Sequence, residues 1–262
     1  MQRIGLSEIH QHLLGLAKEF DRVCTKNSIP YYMAYGTMLG AVRHKGFIPW
    51  DDDMDFVVPI EYYQQLLKCL DRDLTEPYRC CTHKNCKAVI HCYAKIEDTS
   101  TILDDAAFNV PLEDKTGINI DIFPLNRFDC IDTRIKRVHR YIYLLGGAFS
   151  NSKLHKSTFN KLRKKILRLL LGGKPIYLQN KIERISYSLT KGEKLGSIFD
   201  NPNIDPIPEY WYGKGKRYIF ENLTLVGPED YDKYLTHMYG DYMTPPPNNK
   251  RVAHAENVYI RN

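Results

Sequence analysis

Four aspartates fall within five residues, Asp51, Asp52, Asp53 and Asp55, just before the apolar run Phe56-Val57-Val58. Unit negative charges about 4 Å apart at an effective dielectric of about 20 repel by roughly 4 kcal/mol, so such a cluster calls for a cation. On an extended chain Asp53 and Asp55 point to the same side and Asp52 to the other, while Asp51 is placed to hold Arg43 or the loop. Upstream, Gly36-Thr37 forms a turn between a strand over Tyr31 to Tyr35 and a helix over Met38 to Arg43, whose first backbone N–H groups suit a phosphate. Downstream, Ile118 to Phe123 alternates as a strand, with Asn119 and Asp121 on one face and isoleucines on the other, until Pro124 stops it. The set reads as a phosphate-transfer site. A turn holds phosphates, Asp53 and Asp55 share a divalent metal, and Asp121 completes the metal shell or takes a proton.

The elements that must position these groups follow the hydrophobic periodicity. A helix starting at Ser7 with Glu8 behind Leu6 runs to about Asn27, and another covers Glu61 to Leu70; strands cover Tyr78 to Thr82 and Val89 to Glu97, the latter carrying Lys95. From Asp132 to about Gly172 and from Ile176 to Leu189 the pattern is helical, with a break expected at Gly146-Gly147. Gly192 to Pro208 reads as loop, Arg217 to Val226 as strand turning at Asn222, and Asp230 to Tyr239 as a closing helix. Pro245-Pro246-Pro247 excludes regular structure in the tail. The fold class is α/β (α+β), a mixed sheet with flanking helices, with a catalytic core over about 1–130, a basic helical region over about 131–195 and a C-terminal strand, helix and tail over about 209–262.

The 262 residues carry a formal net charge of +6 that is concentrated in one block. From Thr133 to Ile182 there are thirteen Lys or Arg and no Asp or Glu, leaving 24 basic against 31 acidic groups elsewhere. Such a block contacts an anionic surface, polymer or nucleic acid, or is simply a solvated face. The leucine-rich string KLRKKILRLLL favours anionic lipid, and aromatic residues are too sparse in the block to favour nucleic acid. The seven cysteines lack framework spacing and no leader precedes Ser7, so reduced thiols in a cytoplasmic setting are expected, with no membrane-spanning segment.

The order Gly-Thr turn, Asp53-Met54-Asp55, distant Asp121 resembles the nucleotidyltransferase-fold signature. More closely, GTMLGAVRHKGFIPWDDDMDFVV, INIDIFPL and YDKYLTHMYGDYMTPPPNNKRVAH resemble the LicD family, bacterial phosphorylcholine transferases related to the fukutin-related proteins. The resemblance implies metal-dependent transfer of phosphocholine from CDP-choline to a sugar hydroxyl of a cell-surface glycan or its lipid-linked precursor, with release of CMP. It implies Asp53 and Asp55 on Mg²⁺, or Mn²⁺, with Asp121 as base or further ligand. Gly36 and Thr37 would meet phosphate oxygens, with Arg43, His44, Lys45 and Lys95 on the nucleotide side. A quaternary ammonium has no N–H to donate and needs aromatic faces, for which Trp50, Tyr35 and Trp211 are the candidates. Arg251 and His254 match the family's ending without a derivable role. The location expected is cytoplasmic, peripheral at the inner face of the membrane.

Other readings of the same residues are a calcium loop, a solvated acidic turn, and, for Asp121, a satisfied core carboxylate. An EF-hand requires Gly and Glu where Phe56 and Tyr62 stand. Cys80, Cys81, His83, Cys86, His91 and Cys92 include zinc-ligand types without paired-knuckle spacing. The same acidic site would also serve transfer of a phosphoalditol or a nucleotidyl group. An anionic-polymer or nucleic-acid binding protein with an inert acidic site is the non-enzymatic alternative.

Overall fold

The computed structural model describes residues 1–104, 111–149, 165–166, 168–169, 175–199, 205–247, 249, 251 and 257–261. His254 and most of the KLRKKILRLLL string lie outside them. Along the chain run β1 (Gln2–Arg3), α1 (Leu6–Lys26), β2 (Tyr32–Met33), α2 (Tyr35–Arg43), β3 (Asp55–Pro59), α3 (Ile60–Asp73), β4 (Tyr78–Cys81), β5 (Ala94–Asp98) and β6 (Thr101–Leu103). Then follow β7 (Asn119–Arg127), α4 (Thr133–Phe149), α5 (Ile176–Ser188), β8 (Lys194–Gly196), β9 (Ile207–Pro208), α6 (Glu209–Tyr212), β10 (Lys216–Phe220), β11 (Leu223–Gly227), α7 (Tyr231–Tyr239) and β12 (Val258–Ile260).

The central sheet has the order β2-β3-β7-β5-β4, extended by β8 on β7 and β9 on β8. β3 and β7 run parallel, and the other pairings are antiparallel. This is the α+β mixed sheet expected. Alternation gives the sheet two unlike faces. Phe56, Val58, Ile120, Ile122 and Ile96 are fully buried, on the face where α1 packs on β5 and β7 and α3 packs on β3, β4 and β7. α1 earns that place by its stripe Ile9, Leu13, Leu16, Phe20 and Val23, which recurs at helical spacing. The Tyr63 hydroxyl of α3 fixes the same side, donating to Ile122 O (2.6 Å) and accepting from Ala94 N–H (2.8 Å). The other face of β3, β7 and β5 carries Asp55, Asp121, Phe123, Asn119, Lys95 and, just before β5, Tyr93.

Several boundaries differ from the sequence reading for identifiable reasons. β7 continues through Pro124 because the strand N–H groups at 122 and 124 face β5, and β5 ends opposite Ile122; at 124 no donor is needed on that side. β8 then takes up the same edge opposite Asn126 and Arg127. α4 runs through Gly146-Gly147 without a break, since its buried stripe Ile135, Val138, Leu145 and Ala148 continues past them. That stripe forms a second apolar cluster with Phe128, Leu178, Ile182, Leu189 and Ile198. The segment Gly192 to Pro208, expected as loop, holds β8 and β9. Strand Arg217 to Val226 is a hairpin that turns at Glu221 (φ 52°) and Asn222. A separate three-stranded sheet, β1-β12-β6, joins the two ends of the chain.

Candidate active site

The helix expected from Met38 begins earlier, at Tyr35, so Gly36 and Thr37 lie in its first turn. Thr37 is buried, and its hydroxyl accepts the N–H of Asp55 (2.8 Å). That bond fixes the entry of β3 and turns the Thr37 side chain toward the strand. Gly36 has a steric reason: a Cβ there would stand 2.8 Å from Asp51 Oδ2. Gly40 has a similar one, since its Cβ would stand 2.4 Å from Gly46 O, where the loop folds back over α2.

The four aspartates occupy unlike environments. Asp51 does not reach Arg43; its carboxyl sits beside Gly36 and hydrogen-bonds the Asp53 side chain. Burial pushes the Asp51 carboxyl up, and the Asp53 contact pulls it partly back. Asp52 is buried, Asp53 exposed, and Asp55 half-buried. The parallel register sets Asp55 directly opposite Asp121. The Asp55 carboxyl is raised well above the usual range, first by its burial, then by the charges of Asp53 and Asp121; Lys95 opposes the rise.

Lys95 is opposite Asp121 on the other side. Its ammonium ion-pairs with Asp121 Oδ1 and donates to Asn119 Oδ1 (3.0 Å). It thus serves the carboxylates directly, where the sequence reading had it on the nucleotide. Sequence reasoning missed Tyr93, whose hydroxyl also hydrogen-bonds Asp121 and is held well above its usual pKa by burial and by Asp121 and Asp55. The signal was available: Tyr93 precedes Lys95 by two and Phe123 follows Asp121 by two, so alternation puts both on the acidic face.

The remaining candidates form two other groups. At the C-terminal end of α2, Arg43 donates to Tyr242 O (2.9 Å) and lies near Arg251, whose guanidinium sits 4.7 Å from the Trp50 ring centroid. His44 is depressed by burial and by Arg43. Lys45 adopts φ 61°, and its carbonyl accepts Glu221 N–H (2.7 Å), tying the loop to the β10–β11 hairpin. Trp211 packs on His237 of α7 (centroids 5.9 Å apart), with its indole Nε1 buried and without a hydrogen-bond partner. Cys80 and Cys81 face opposite sides of β4, so they cannot share one zinc; Cys81 contacts Cys86, whose thiol falls to about 6 because of that bond.

Carboxylate oxygens are the donors a hard divalent cation such as Mg²⁺ takes, and the charges of Asp53 and Asp121 add to the rise that burial gives the Asp55 carboxyl, against the pull of Lys95. Chemically the site fits such a cation. Among the described residues no three His, Cys, Asp or Glu side chains converge on one metal-sized point, and Asp121 Oδ1 is engaged by Lys95.

A mixed sheet with an open acidic face, a helix N-terminus beside it and paired strand carboxylates defines a nucleotidyltransferase-like fold. Comparison with known proteins gives a match to one family: residues 28–156 match the LicD/FKTN/FKRP nucleotidyltransferase domain. A relative that aligns along the whole chain, the lipopolysaccharide cholinephosphotransferase LicD of Haemophilus influenzae, is 27% identical over 276 aligned positions, covering 99% of this chain and all of that protein. Two uncharacterized Rickettsia proteins, from R. typhi and R. prowazekii, are each 47% identical over 58 residues, covering 21% of this chain and 19% and 22% of their own lengths.

Proposed function

We propose that this protein transfers phosphocholine from CDP-choline to a sugar hydroxyl of a cell-surface glycan or its lipid-linked precursor, releasing CMP. The observation that carries the reading is the acidic face, with Asp55 opposite Asp121, in a chain alignable end to end with a lipopolysaccharide cholinephosphotransferase. In the reaction the acceptor oxygen attacks the choline-bearing phosphorus, the bond from that phosphorus to the CMP oxygen breaks, and the hydroxyl proton passes to a carboxylate. Asp121 is the group for that proton, held in place by Lys95 and the Tyr93 hydroxyl. Asp53 and Asp55 would hold a divalent cation, which supplies charge neutralisation on the diphosphate and the departing CMP. Gly36, in the first turn of α2 and beside the Asp51 carboxyl, would offer its backbone N–H to a phosphate. Arg43, Arg251 and Trp50 form the basic and aromatic group suited to the nucleotide.

The protein is also proposed to work at the cytoplasmic face of an anionic membrane. No described helix is long and apolar enough to cross a bilayer. The described parts of the basic block expose Tyr143, Ile166, Leu169, Ile176 and Tyr177 beside its cations, and Lys181 caps the Tyr177 and Tyr141 rings at 4.3 and 5.8 Å.

Incubation with CDP-choline, other CDP-linked donors and nucleoside triphosphates, with Mg²⁺ present and then chelated, tests the chemistry. CMP from CDP-choline only with metal, and none from folded Asp53→Asn, is the expected result. Pyrophosphate from a triphosphate, with no CMP from any donor, would instead make this a nucleotidyltransferase.

A further inference from the structure

The open face holds more than carboxylates. Tyr93 and Phe123 lie with ring centroids 4.3 Å apart at 45°, Tyr35 meets Phe123 edge-on at 5.7 Å and 87°, and Phe199 meets Tyr93 edge-on at 5.4 Å and 74°. All four side chains are half-buried, on a face whose opposite side already contains the core. They come from four separate pieces of chain: the start of α2, the approach to β5, the middle of β7, and the segment after β8. Tyr35 is held in a left-handed backbone conformation (φ 44°), uncommon for an aromatic residue, with its N–H donated to the Tyr234 hydroxyl (3.1 Å). Such strain persists where surrounding structure enforces it, and it recurs at ligand sites.

We infer that Tyr35, Tyr93, Phe123 and Phe199 form the subsite for a trimethylammonium group, beside the carboxylates of Asp55 and Asp121. This rests on the phosphocholine reading above and names its donor-recognition residues, which the sequence reading had sought at Trp50, Tyr35 and Trp211; only Tyr35 is retained. The geometry favours a quaternary cation over a stacked base. A base takes parallel rings, whereas these rings stand at steep angles to one another and present both faces and edges. Tyr93 already receives one cation, since Lys95 Nζ lies 5.7 Å from its centroid. A methylated ammonium cannot donate hydrogen bonds, so the carboxylates attract it through space while the rings replace its hydration. Phe123 is one same-face step from Asp121, about 7 Å along the strand, a separation on the scale of the ethyl spacer and methyl groups of phosphocholine. Phosphorus at the carboxylates would therefore leave the nitrogen among the rings.

Binding of tetramethylammonium, followed by saturation-transfer NMR with neutral tert-butanol as control, tests the subsite without turnover. The wild type should prefer the cation, and Phe123→Leu should weaken it roughly fivefold, whereas Phe123→Tyr should retain it. In turnover, Phe123→Leu should lower the kcat/KM ratio of CDP-choline over CDP-ethanolamine by a similar factor. Tyr35→Leu, on a different element, gives the same readouts if Phe123→Leu does not fold. No cation preference in the wild type, or an unchanged ratio in both folded leucine variants, overturns the subsite. If no CDP-linked donor yields CMP yet the leucine variants lose tetramethylammonium, the transfer reading fails and the subsite stands.

Discussion

Replacing Asp55 with Asn keeps the shape of the side chain and removes its charge, so it isolates the electrostatics of the acidic face. Asp55 and Asp121 are register partners on adjacent strands, about 5 Å apart, which at an effective dielectric of about 20 gives roughly 3 kcal/mol of repulsion. Lys95 offsets part of it, leaving about 1–2 kcal/mol to be recovered on neutralisation. The sign follows from the raised Asp55 pKa. The folded state holds a proton that the unfolded chain releases near the ordinary carboxylate value, so metal-free stability falls as pH rises above that value. Asp55→Asn should therefore melt about 2–8 °C above wild type at pH 7.5 in chelator, at about 2–4 °C per kcal/mol for a protein of this size. The gap should be smaller at pH 4.5, because the raised Asp55 carboxyl takes up its proton as the pH falls. Mg²⁺ at a hundred times its dissociation constant should stabilise wild type by about 2.7 kcal/mol and the variant far less. Differential scanning fluorimetry at both pH values reads all of this. A variant less stable than wild type in chelator at pH 7.5, or equal Mg²⁺ stabilisation of both proteins, would refute the reasoning.

Thr37→Val preserves volume but leaves the Asp55 N–H without its acceptor; stability should drop by about 1–3 kcal/mol in urea titrations, and CMP release should fall with it because β3 loses its anchor. Charge reversal at Arg137 and Lys181, which lie close together on α4 and α5, should reduce sedimentation with vesicles rich in anionic lipid and the effect should vanish at high salt; binding that ignores both would exclude the membrane surface.

The placing of Asp55 and Asp121 on one face of the sheet was legible because alternation along a strand is a local property. Their partners were not, because Lys95 finds Asp121 through strand register, which depends on long-range pairing. For Asp51 the sequence left Arg43 or the loop open, and only the fold shows its carboxyl beside Gly36 and bonded to Asp53. Trp50 and Trp211 drew attention by residue type, yet the fold gives them Arg251 and His237 as neighbours. Pro124 was read as a stop because proline breaks ladders, but the missing donor faces an edge where the neighbouring strand has already ended. The Gly146-Gly147 break failed because a buried stripe on both sides outweighs two weak helix formers.

The change of partner along β7 makes this strand a ruler. Its first half carries Asp121 beside β5, and its second half is gripped by β8 and by Ser186 of α5, to which the buried Asn126 side chain donates (2.9 and 3.1 Å). From Asp121 to Asn126 is about 17 Å at the usual rise per residue, set by covalent chain and unaffected by any loop. Under the proposed function, an acceptor resting on the basic helices would present its hydroxyl across a gap of that order, which would select for the length of what lies between its anchor and the sugar to be modified.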